Sequence, residues 1–269
     1  MDDIYQVYVN RVARMTLPEA YKSQVQHIQP SPKFQQQPDG TFQPTSFPGY
    51  SVITPPWADE SENQEFYQQL QAFQQQVAQK LSPELFVALP PDSFHMTIAD
   101  LIWDSAYRHA DENPHFQEQL RDRVSQIFQQ CQPQKAIAPI YWQVMGLVVM
   151  PRALAVSLTP KTEEGYEQII KLRRAIYQNS ALMALGIEQQ YHLTAHITIG
   201  YFGSVTGDLD RDDLGQQLDH LNQQWLTSDI PQPLLIQRAE LRKFDNMMHY
   251  YREPDWPVLD FSYSTNTLN

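Results

Sequence analysis

The stretch Tyr191-His-Leu-Thr-Ala-His-Ile-Thr-Ile-Gly-Tyr-Phe202 carries the clearest structural signal in this sequence. From His192 to Thr198 every second residue is polar, and Leu, Ala and Ile fill the positions between them. Strict alternation is typical of a β-strand, because successive side chains point to opposite faces of a sheet. The pattern therefore predicts a strand that carries His192, Thr194, His196 and Thr198 on one face.

A second copy of the pattern lies far upstream, in Phe94-His-Met-Thr-Ile-Ala99. There His95 and Thr97 share one face, and Met96 and Ile98 take the other. With 8 His and 13 Thr in 269 residues, chance alone would place a Thr two positions after a His about 0.4 times, yet this happens three times. The excess favours a functional site over the alternative that His95 and His196 are merely buried histidines bonded to neighbouring threonines.

The elements around the two motifs predict the fold class. Apolar periodicity predicts helices near 60–80, 114–130, 162–178 and 212–226, and strands near 50–54, 85–89, 141–149, 154–158 and 233–242. Their order puts one His-x-Thr strand in each of two similar halves. We expect a bilobal α+β fold with pseudo-twofold symmetry, in which two antiparallel sheets face each other across a central cleft and helices cover the outside.

The chain divides into three parts by composition. We expect residues 1–48 to form an N-terminal extension that begins with helices. Its second part, residues 29–48, is rich in Pro and Gln and is either a flexible linker or a lid over the cleft. We expect residues 49–242 to form the bilobal domain. Residues 243–269 form an aromatic C-terminal tail, for which we expect irregular structure.

The net charge of −12 limits the classes of partner. Avid binding of long nucleic acid needs a basic surface, whereas a local pocket for a nucleotide or an RNA end does not depend on the net charge. The single cysteine, Cys131, excludes an internal disulfide and a cysteine-based metal cluster. No apolar run approaches the roughly 20 residues of a membrane span, and no basic, apolar signal peptide is present at the N-terminus. We therefore expect a cytoplasmic protein that makes no membrane contact.

Two histidines that face each other across a cleft are suited to acid–base catalysis near neutral pH. A neutral imidazole can take a proton from water while a protonated one gives a proton to a leaving oxygen. A threonine two residues further along each strand can donate a hydrogen bond to an anion held between the histidines. A phosphodiester fits this arrangement, and its hydrolysis there requires no metal ion or other cofactor.

The motifs His95-Met-Thr-Ile98 and His196-Ile-Thr-Ile199 resemble the paired His-x-Thr/Ser motifs of the two-histidine (2H) phosphoesterase superfamily. This superfamily includes RNA 2′,3′-cyclic phosphodiesterases and 2′,5′-RNA ligase-like proteins, and the resemblance covers roughly residues 49–242. The lead-in segment, from Lys33 through Pro38-Asp-Gly40 to Gly49, is more similar to an uncharacterised bacterial branch of the superfamily.

The resemblance implies a metal-independent phosphoric diester hydrolase that acts on a 2′,3′-cyclic nucleotide or a short RNA end. By this resemblance His95 and His196 are the catalytic pair, and Thr97 and Thr198 bind the substrate. The alternative is a nucleotide- or RNA-binding module that has the same cleft and no catalysis. A third possibility is a structural protein whose N-terminal helices and aromatic tail mediate assembly; the oligomeric state is not predicted.

Two further polar residues are candidate substrate contacts. His192 lies two steps of the alternation from His196, about 13 Å along an extended strand, so it is either a contact at the cleft mouth or a strand-end residue without a role. A metal pair of these two histidines would require a helix with an acid between them, and 193–195 contain none. Arg152, at a predicted turn, either reaches a phosphate or is solvated.

Three aromatic residues are candidates for stacking against a base. They are Tyr50, Trp142 and Tyr201. Each has the alternative of a place in the hydrophobic core.

Overall fold

The computed structural model of the protein describes residues 2–134, 137–188, 191–228 and 231–261. Helices and antiparallel sheets occur together, so the predicted α+β class is confirmed. No helix in the described ranges has both the length and the apolar character needed to cross a membrane.

The helices and strands follow one another in a mixed order along the chain. The helices are α1 (Tyr5–Arg14), α2 (Pro18–Gln24), α3 (Gln64–Lys80), α4 (Asp104–Ala110), α5 (Phe116–Cys131), α6 (Glu163–Tyr177), α7 (Ser180–Met183) and α8 (Arg211–Ser228). The strands are β1 (Phe34–Gln36), β2 (Phe42–Pro44), β3 (Gly49–Ile53), β4 (Phe86–Ala88), β5 (Thr97–Trp103), β6 (Ile140–Val149), β7 (Ala153–Pro160), β8 (His196–Phe202), β9 (Leu234–Ile236), β10 (Arg238–Asn246), β11 (His249–Tyr251) and β12 (Val258–Asp260).

Each His-x-Thr motif belongs to a different five-stranded antiparallel sheet. The first sheet has the order β11-β10-β3-β5, with β12 also paired to β10, and contains the first motif strand. The second has the order β4-β8-β7-β6-β9 and contains the second motif strand. Neither sheet is made from one half of the chain, because β4 pairs with β8 and β10 pairs with β3.

Helix α6 illustrates why the predicted helices form where they do. The Thr162 hydroxyl accepts a hydrogen bond of 3.1 Å from the backbone N–H of Gly165, which caps the first turn. Glu163 and Glu164 lie in that turn, where the helix dipole favours negative charge. The buried face of the helix carries Tyr166, Ile169, Ile170 and Ile176, at the spacing of an amphipathic helix.

Residues 243–261 of the aromatic tail differ from the irregular segment that we expected, and residues 262–269 lie outside the described part of the chain. β10 continues to Asn246, and both β11 and β12 pair with it. Trp256, Leu259 and Phe261 are buried at this edge of the first sheet. Strands of three residues are too short for alternation to be detected in the sequence, which is why the expectation was wrong.

The strand predicted from His192 begins only at His196. The N–H of Leu193 donates at 2.8 Å to the Asp2 carboxylate, and the N–H of Ala195 donates at 3.1 Å to the hydroxyl of Tyr8. Side chains of the N-terminal segment therefore bind backbone groups that a neighbouring strand would otherwise bind. The alternation of polar residues in the sequence therefore extends further towards the N-terminus than the paired strand does.

Arg173, on α6, connects the two motif segments in the protein interior. Its side chain is 1% exposed, and its guanidinium donates to the backbone carbonyl of Ile98 and, at 2.8 Å, to that of Tyr191. It also forms an ion pair of 3.2 Å with Asp2. The first carbonyl belongs to β5 and the second precedes β8, so one buried cation links both motifs.

Replacing Arg173 by methionine should destabilise the fold strongly. The substitution leaves the Asp2 side chain, which is 6% exposed, without its ion-pair partner, and loss of one side of a buried pair costs about 3–5 kcal/mol. Arg174→Met is the matched control, because that side chain is 44% exposed and lies 3.8 Å from Glu167, so its loss should cost less than about 1 kcal/mol. Urea unfolding measures both free energies, and equal losses would contradict the role given to Arg173.

Candidate active site

The two motifs meet at one cavity of about 460 Å³. His95 and Thr97, from the first sheet, and His196 and Thr198, from the second, all line it. All four side chains are half-buried. The cleft between two His-x-Thr strands that the sequence predicts therefore has its counterpart in the structure.

The two imidazoles are held in the same way. Nδ1 of His95 lies 2.7 Å from the backbone carbonyl oxygen of Ser93, and Nδ1 of His196 lies 2.6 Å from that of Thr194. A carbonyl only accepts, so Nδ1 carries a proton in both rings. In the neutral form, the lone pair of each imidazole is then on Nε2, which is left to contact a ligand.

The Thr194 carbonyl belongs to a segment that the N-terminal helix α1 holds in place. Arg11 donates to the Thr194 hydroxyl at 2.9 Å and to the carbonyl of Leu193. The same guanidinium pairs with Asp3 at 2.8 Å. Arg11 therefore acts on His196 indirectly, through the backbone that orients its ring.

β-Bulges bring further side chains of the first motif strand into the cavity. The register between β3 and β5 shifts twice, which leaves Ile98 and Leu101 as extra residues. Each bulge displaces the alternation by one residue. The residues of β5 that line the cavity are therefore Thr97, Asp100 and Trp103, at a spacing of three instead of two.

The second motif strand has a similar bulge. Its register with β7 shifts at Ile199, and Tyr201 lines the cavity together with Thr198. Gly200 lies between these two residues, where a methyl group would come within 2.3 Å of the Phe86 ring. Only glycine allows β4 to pass this close to the bulge.

Burial lowers the pKa of both catalytic candidates. The pKa of His95 falls to about 4, because removal from water opposes the charged form more than the Ser93 carbonyl and the Asp100 carboxylate support it. Burial, and to a smaller extent the charge of Lys33, also lowers the pKa of His196, against the opposing effects of the Thr194 carbonyl and Asp100. Without a bound anion, both imidazoles are therefore predominantly neutral at pH 7.

Asp100 is the carboxylate that acts on both histidines. Its oxygens accept hydrogen bonds from the Ser51 hydroxyl, at 2.9 Å, and from the Tyr191 hydroxyl. Burial and the adjacent Asp100 raise the pKa of Tyr191 well above its ordinary value, so the phenol stays a donor. The carboxylate is thus fixed in the cavity wall by two neutral groups.

Tyr250, from β11, covers one face of the first catalytic candidate. Its ring centroid lies 4.2 Å from that of His95, with the rings inclined by 59°. Phe244 packs on the same tyrosine at 5.1 Å. The segment expected to be an irregular tail therefore forms part of the cavity wall.

Residues 29–48 also contribute to the cavity. Ser31, Lys33 and Phe47 line it, and the N–H of Ser31 donates at 2.8 Å to the Phe202 carbonyl at the end of β8. The segment includes the β1–β2 hairpin and lies along the second motif strand. The segment therefore forms part of the cavity wall, and its role as a lid stays a prediction.

The structure brings Arg152 to the cavity but not His192. Arg152, in the turn between β6 and β7, is exposed and lines the cavity. The His192 side chain is 58% exposed and faces Asp3, with Nδ1 3.4 Å from the carboxylate. Tyr50 and Trp142 are fully buried core residues, so Tyr201 alone of the three proposed stacking residues lines the cavity.

Sequence reasoning missed Lys33, Asp100 and Tyr250 as cavity residues. Asp100 was hidden because bulges cannot be read from alternation. Lys33 lies in a Pro- and Gln-rich segment, and Tyr250 in a strand of three residues; neither segment has a periodic pattern. For Lys33 the available signal was its place in the lead-in segment, which resembles a branch of the superfamily.

The titratable side chains around the cavity do not form a metal-binding cluster. Within the described parts of the chain, no three His, Cys, Asp or Glu side chains lie close enough together to hold a metal ion.

Comparison with known families supports the resemblance seen in the sequence. A family model named 2H-phosphodiest, described as a domain of unknown function (DUF1868), matches residues 33–138. The matched segment begins at Lys33 and includes His95 and Thr97. This match confirms the resemblance to the two-histidine phosphoesterase superfamily, although it covers less than half of the chain and ends before His196.

A solved structure shares the architecture at low sequence identity. A conserved protein of unknown function from Agrobacterium tumefaciens strain C58 has a TM-score of 0.60 at 16% identity, over 90% of this chain and 97% of that chain. E. coli LigT in complex with 3′-AMP has a TM-score of 0.40 at 14% identity, over 73% of this chain and 88% of that chain. The first likeness shows a common fold. The comparison with curated proteins found no match.

The lowered histidine pKa values predict a loss of stability in mild acid. Between pH 6.5 and about 4 the unfolded chain binds a proton at His95 that the folded protein does not, so stability falls as the pH falls, by up to ~1.4 kcal/mol per pH unit for one proton. His95→Asn retains a donor for the Ser93 carbonyl but cannot ionise, and its unfolding free energy should depend less on pH in this range.

His109→Asn serves as the control, because the His109 side chain is 86% exposed on α4. Urea unfolding at pH 4.5, 5.5 and 7 should give it the same pH dependence as the wild type. An equally steep loss in His95→Asn would contradict the assignment of this loss to His95.

Proposed function

We propose that the protein is a phosphoric diester hydrolase that opens a cyclic phosphodiester by acid–base catalysis with His95 and His196, without a metal ion. The observation that carries this proposal is the matched setting of the two imidazoles. Each donates from Nδ1 to a carbonyl two residues earlier and lines the same cavity with a threonine two residues later. Two isolated core histidines would have no reason to share this geometry.

The two imidazoles can hydrolyse the phosphodiester in one step, in which one ring accepts a proton and the other donates one. Water is held near Nε2 of one neutral histidine, which takes a proton as the water oxygen bonds to phosphorus. The bond from phosphorus to the leaving ribose oxygen breaks, and the second histidine, protonated, gives its proton to that oxygen. The product is a phosphate monoester, and the pair returns to its starting state after one proton moves between the rings through solvent.

The threonines supply the donors for the phosphate oxygens. Thr97 and Thr198 line the cavity beside the histidines, and a hydroxyl can donate to a non-bridging oxygen whose negative charge persists through the reaction. Donors placed for such an anion lower the barrier because they need little reorganisation. We therefore assign them to substrate binding.

The substrate anion is also what makes the second histidine an acid. In the empty cavity burial keeps both imidazoles neutral at pH 7. A bound phosphodiester places a negative charge near both rings and raises the pKa of the one that it contacts. Protonation and substrate binding are then coupled, and the catalytic state exists mainly when the cavity is occupied.

The cavity walls favour a nucleotide as the substrate. Trp103, Tyr201 and Tyr250 line it, and aromatic side chains provide surfaces for stacking a base. The net charge of −12 argues against tracking along a long nucleic acid. We infer a 2′,3′-cyclic nucleotide or the end of a short RNA.

The alternative function is nucleotide binding without catalysis. The lowered pKa values of both histidines favour it, because imidazoles that stay neutral at pH 7 hold no proton on Nε2 to give to a leaving oxygen. Binding of a 2′,3′-cyclic nucleotide with no turnover, at an affinity that does not change near pH 7, would support this alternative.

Loss of either histidine should reduce turnover strongly while the fold survives. With a 2′,3′-cyclic nucleoside monophosphate and chelator-treated protein, we expect His95→Asn and His196→Asn each to lower kcat by about 10²–10⁴-fold, the usual contribution of a general acid or base. Thr198→Val should lower it by at least about 10-fold, since one donor to the phosphate is lost. Circular dichroism checks that each variant is folded.

His192→Asn is the matched control for these variants, because its exposed side chain pairs with Asp3 outside the cavity. Its kcat should stay within about 2-fold of the wild type, as for most surface substitutions. Turnover that is indifferent to His196, or that depends as strongly on His192, would contradict the proposed pair.

The pH dependence of kcat/KM, which reports on the free enzyme, should differ from that of kcat, which reports on the enzyme with bound substrate. Because the pKa values of both histidines lie below 6.5 in the free protein, kcat/KM should have its maximum on the acid side of pH 6.5 and fall as the acid loses its proton above it. The maximum of kcat should lie at higher pH, since the bound anion raises the pKa of the acid. Rates measured from pH 4.5 to 9 test this, and a kcat/KM that rises steadily to pH 9 would contradict it.

A further inference from the structure

Two cations line the cavity beside the second motif strand. The Lys33 ammonium lies over the ring of Phe47, 4.7 Å from its centroid, and over that of Tyr201, at 5.1 Å. It also donates a 3.4 Å hydrogen bond to the Tyr201 hydroxyl. Arg152 lines the same cavity from the β6–β7 turn, whose following residue, Ala153, pairs with Tyr201.

Neither cation has an ion-pair partner in the described part of the chain. In contrast, seven other arginines pair there with carboxylates. The Asp100 charge supports the Lys33 ammonium, but Asp100 makes no ion pair with it and accepts hydrogen bonds from the neutral hydroxyls of Ser51 and Tyr191 instead. The aromatic rings beside Lys33 thus stabilise its positive charge only in part, compared with a carboxylate partner.

This arrangement costs free energy while the cavity is empty. Burial lowers the pKa of Lys33, and the positive charge of Arg152 lowers it too, against the opposing effect of Asp100. A surface cation such as Arg14 is solvated, whereas the Lys33 side chain is half-buried and lines the same cavity as Arg152. An anion bound between Lys33 and Arg152 would remove both penalties.

The position of the pair separates it from the reaction centre. Tyr201, which contacts Lys33, pairs with Ala153, whereas Thr198 pairs with Ala155, so the two residues lie about 7 Å apart along the sheet. The scissile phosphate already has its donors in the threonines and its proton carriers in the histidines. The two cations therefore point to a second anionic group on the same ligand.

We propose that Lys33 and Arg152 form a second anion subsite, which binds a further phosphate group of the substrate. The preferred substrate is then a cyclic phosphodiester that also carries a phosphate monoester, such as a nucleoside 5′-phosphate 2′,3′-cyclic phosphate. Arg binds phosphate through a planar fork and Lys as a point charge, so the pair suits a doubly charged monoester. The inference rests on the proposed function for the placement of the scissile group.

Binding can test the subsite without any turnover. Calorimetric titration in chelator compares adenosine 3′-monophosphate with adenosine 3′,5′-bisphosphate, which differ only in the second phosphate. We expect the wild type to bind the bisphosphate at least about 10-fold more tightly, the effect of one or two charge-assisted contacts. The readout in each variant is the ratio of the two Kd values, so a general change in affinity cancels.

Lys33→Met keeps the aliphatic stem and Arg152→Gln keeps a polar side chain, and each removes one charge. Each should reduce the ratio by about 3-fold or more, and the double variant should bring it close to 1. Arg14→Gln and Lys80→Met remove the same charges at exposed positions on α1 and α3 and should retain the wild-type ratio. Should Lys33→Met fail to fold, the exposed Arg152 still provides the test.

Two results would overturn the subsite: a wild-type ratio near 1, or a preference for the bisphosphate that survives in the double variant. A preference that disappears in the double variant, in a protein that hydrolyses no cyclic nucleotide, would support the subsite and contradict the proposed function. Hydrolysis that depends on His196, without any bisphosphate preference, would support the proposed function and contradict the subsite.

Discussion

The buried guanidinium of Arg173 is the interaction on which the rest of the site depends. It donates to a carbonyl of β5, to the Tyr191 carbonyl ahead of β8, and to the Asp2 carboxylate. A buried cation is unfavourable unless its donors are satisfied, so these three segments can only pack in the arrangement that surrounds it. This packing sets the relative position of the two His-x-Thr motifs, through a side chain that does not line the cavity.

Within that frame, each imidazole is oriented by its own backbone. The contact from Nδ1 to the carbonyl two residues earlier recurs at both motifs, and both strands contain bulges beyond the threonine. The bulges matter chemically, because they turn Asp100 and Tyr201 toward the cavity, where ordinary alternation would turn them away. A pseudo-symmetric pair of strands thereby acquires an acidic residue on one side and an aromatic, cation-bearing wall on the other.

The two ends of the chain complete the site. Arg11 and Tyr8 of α1 hold the backbone before His196, the segment around Lys33 forms one wall, and Tyr250 covers His95. The matching family model spans residues 33–138, which include the first motif, yet the cavity needs β8 and β11 as well. Parts of the chain that look peripheral in the sequence are therefore bound to the site by hydrogen bonds and ring contacts.

The sequence by itself determined the α+β class, most helices, and the pairing of His95 with Thr97 and of His196 with Thr198, because periodicity and residue type are local properties of the chain. It also made Arg152 a candidate for contact with a phosphate, because this residue lies in a predicted turn. Only the tertiary structure decided that His192 lies outside the cavity, that Asp100 and Tyr201 lie inside it, and that Lys33 and Tyr250 complete its walls. Those outcomes depend on which backbone groups pair with which partner, at Asp2 and Tyr8 for His192 and at the bulges for Asp100 and Tyr201. Such pairing is set by residues far apart in sequence, so no local pattern contains it.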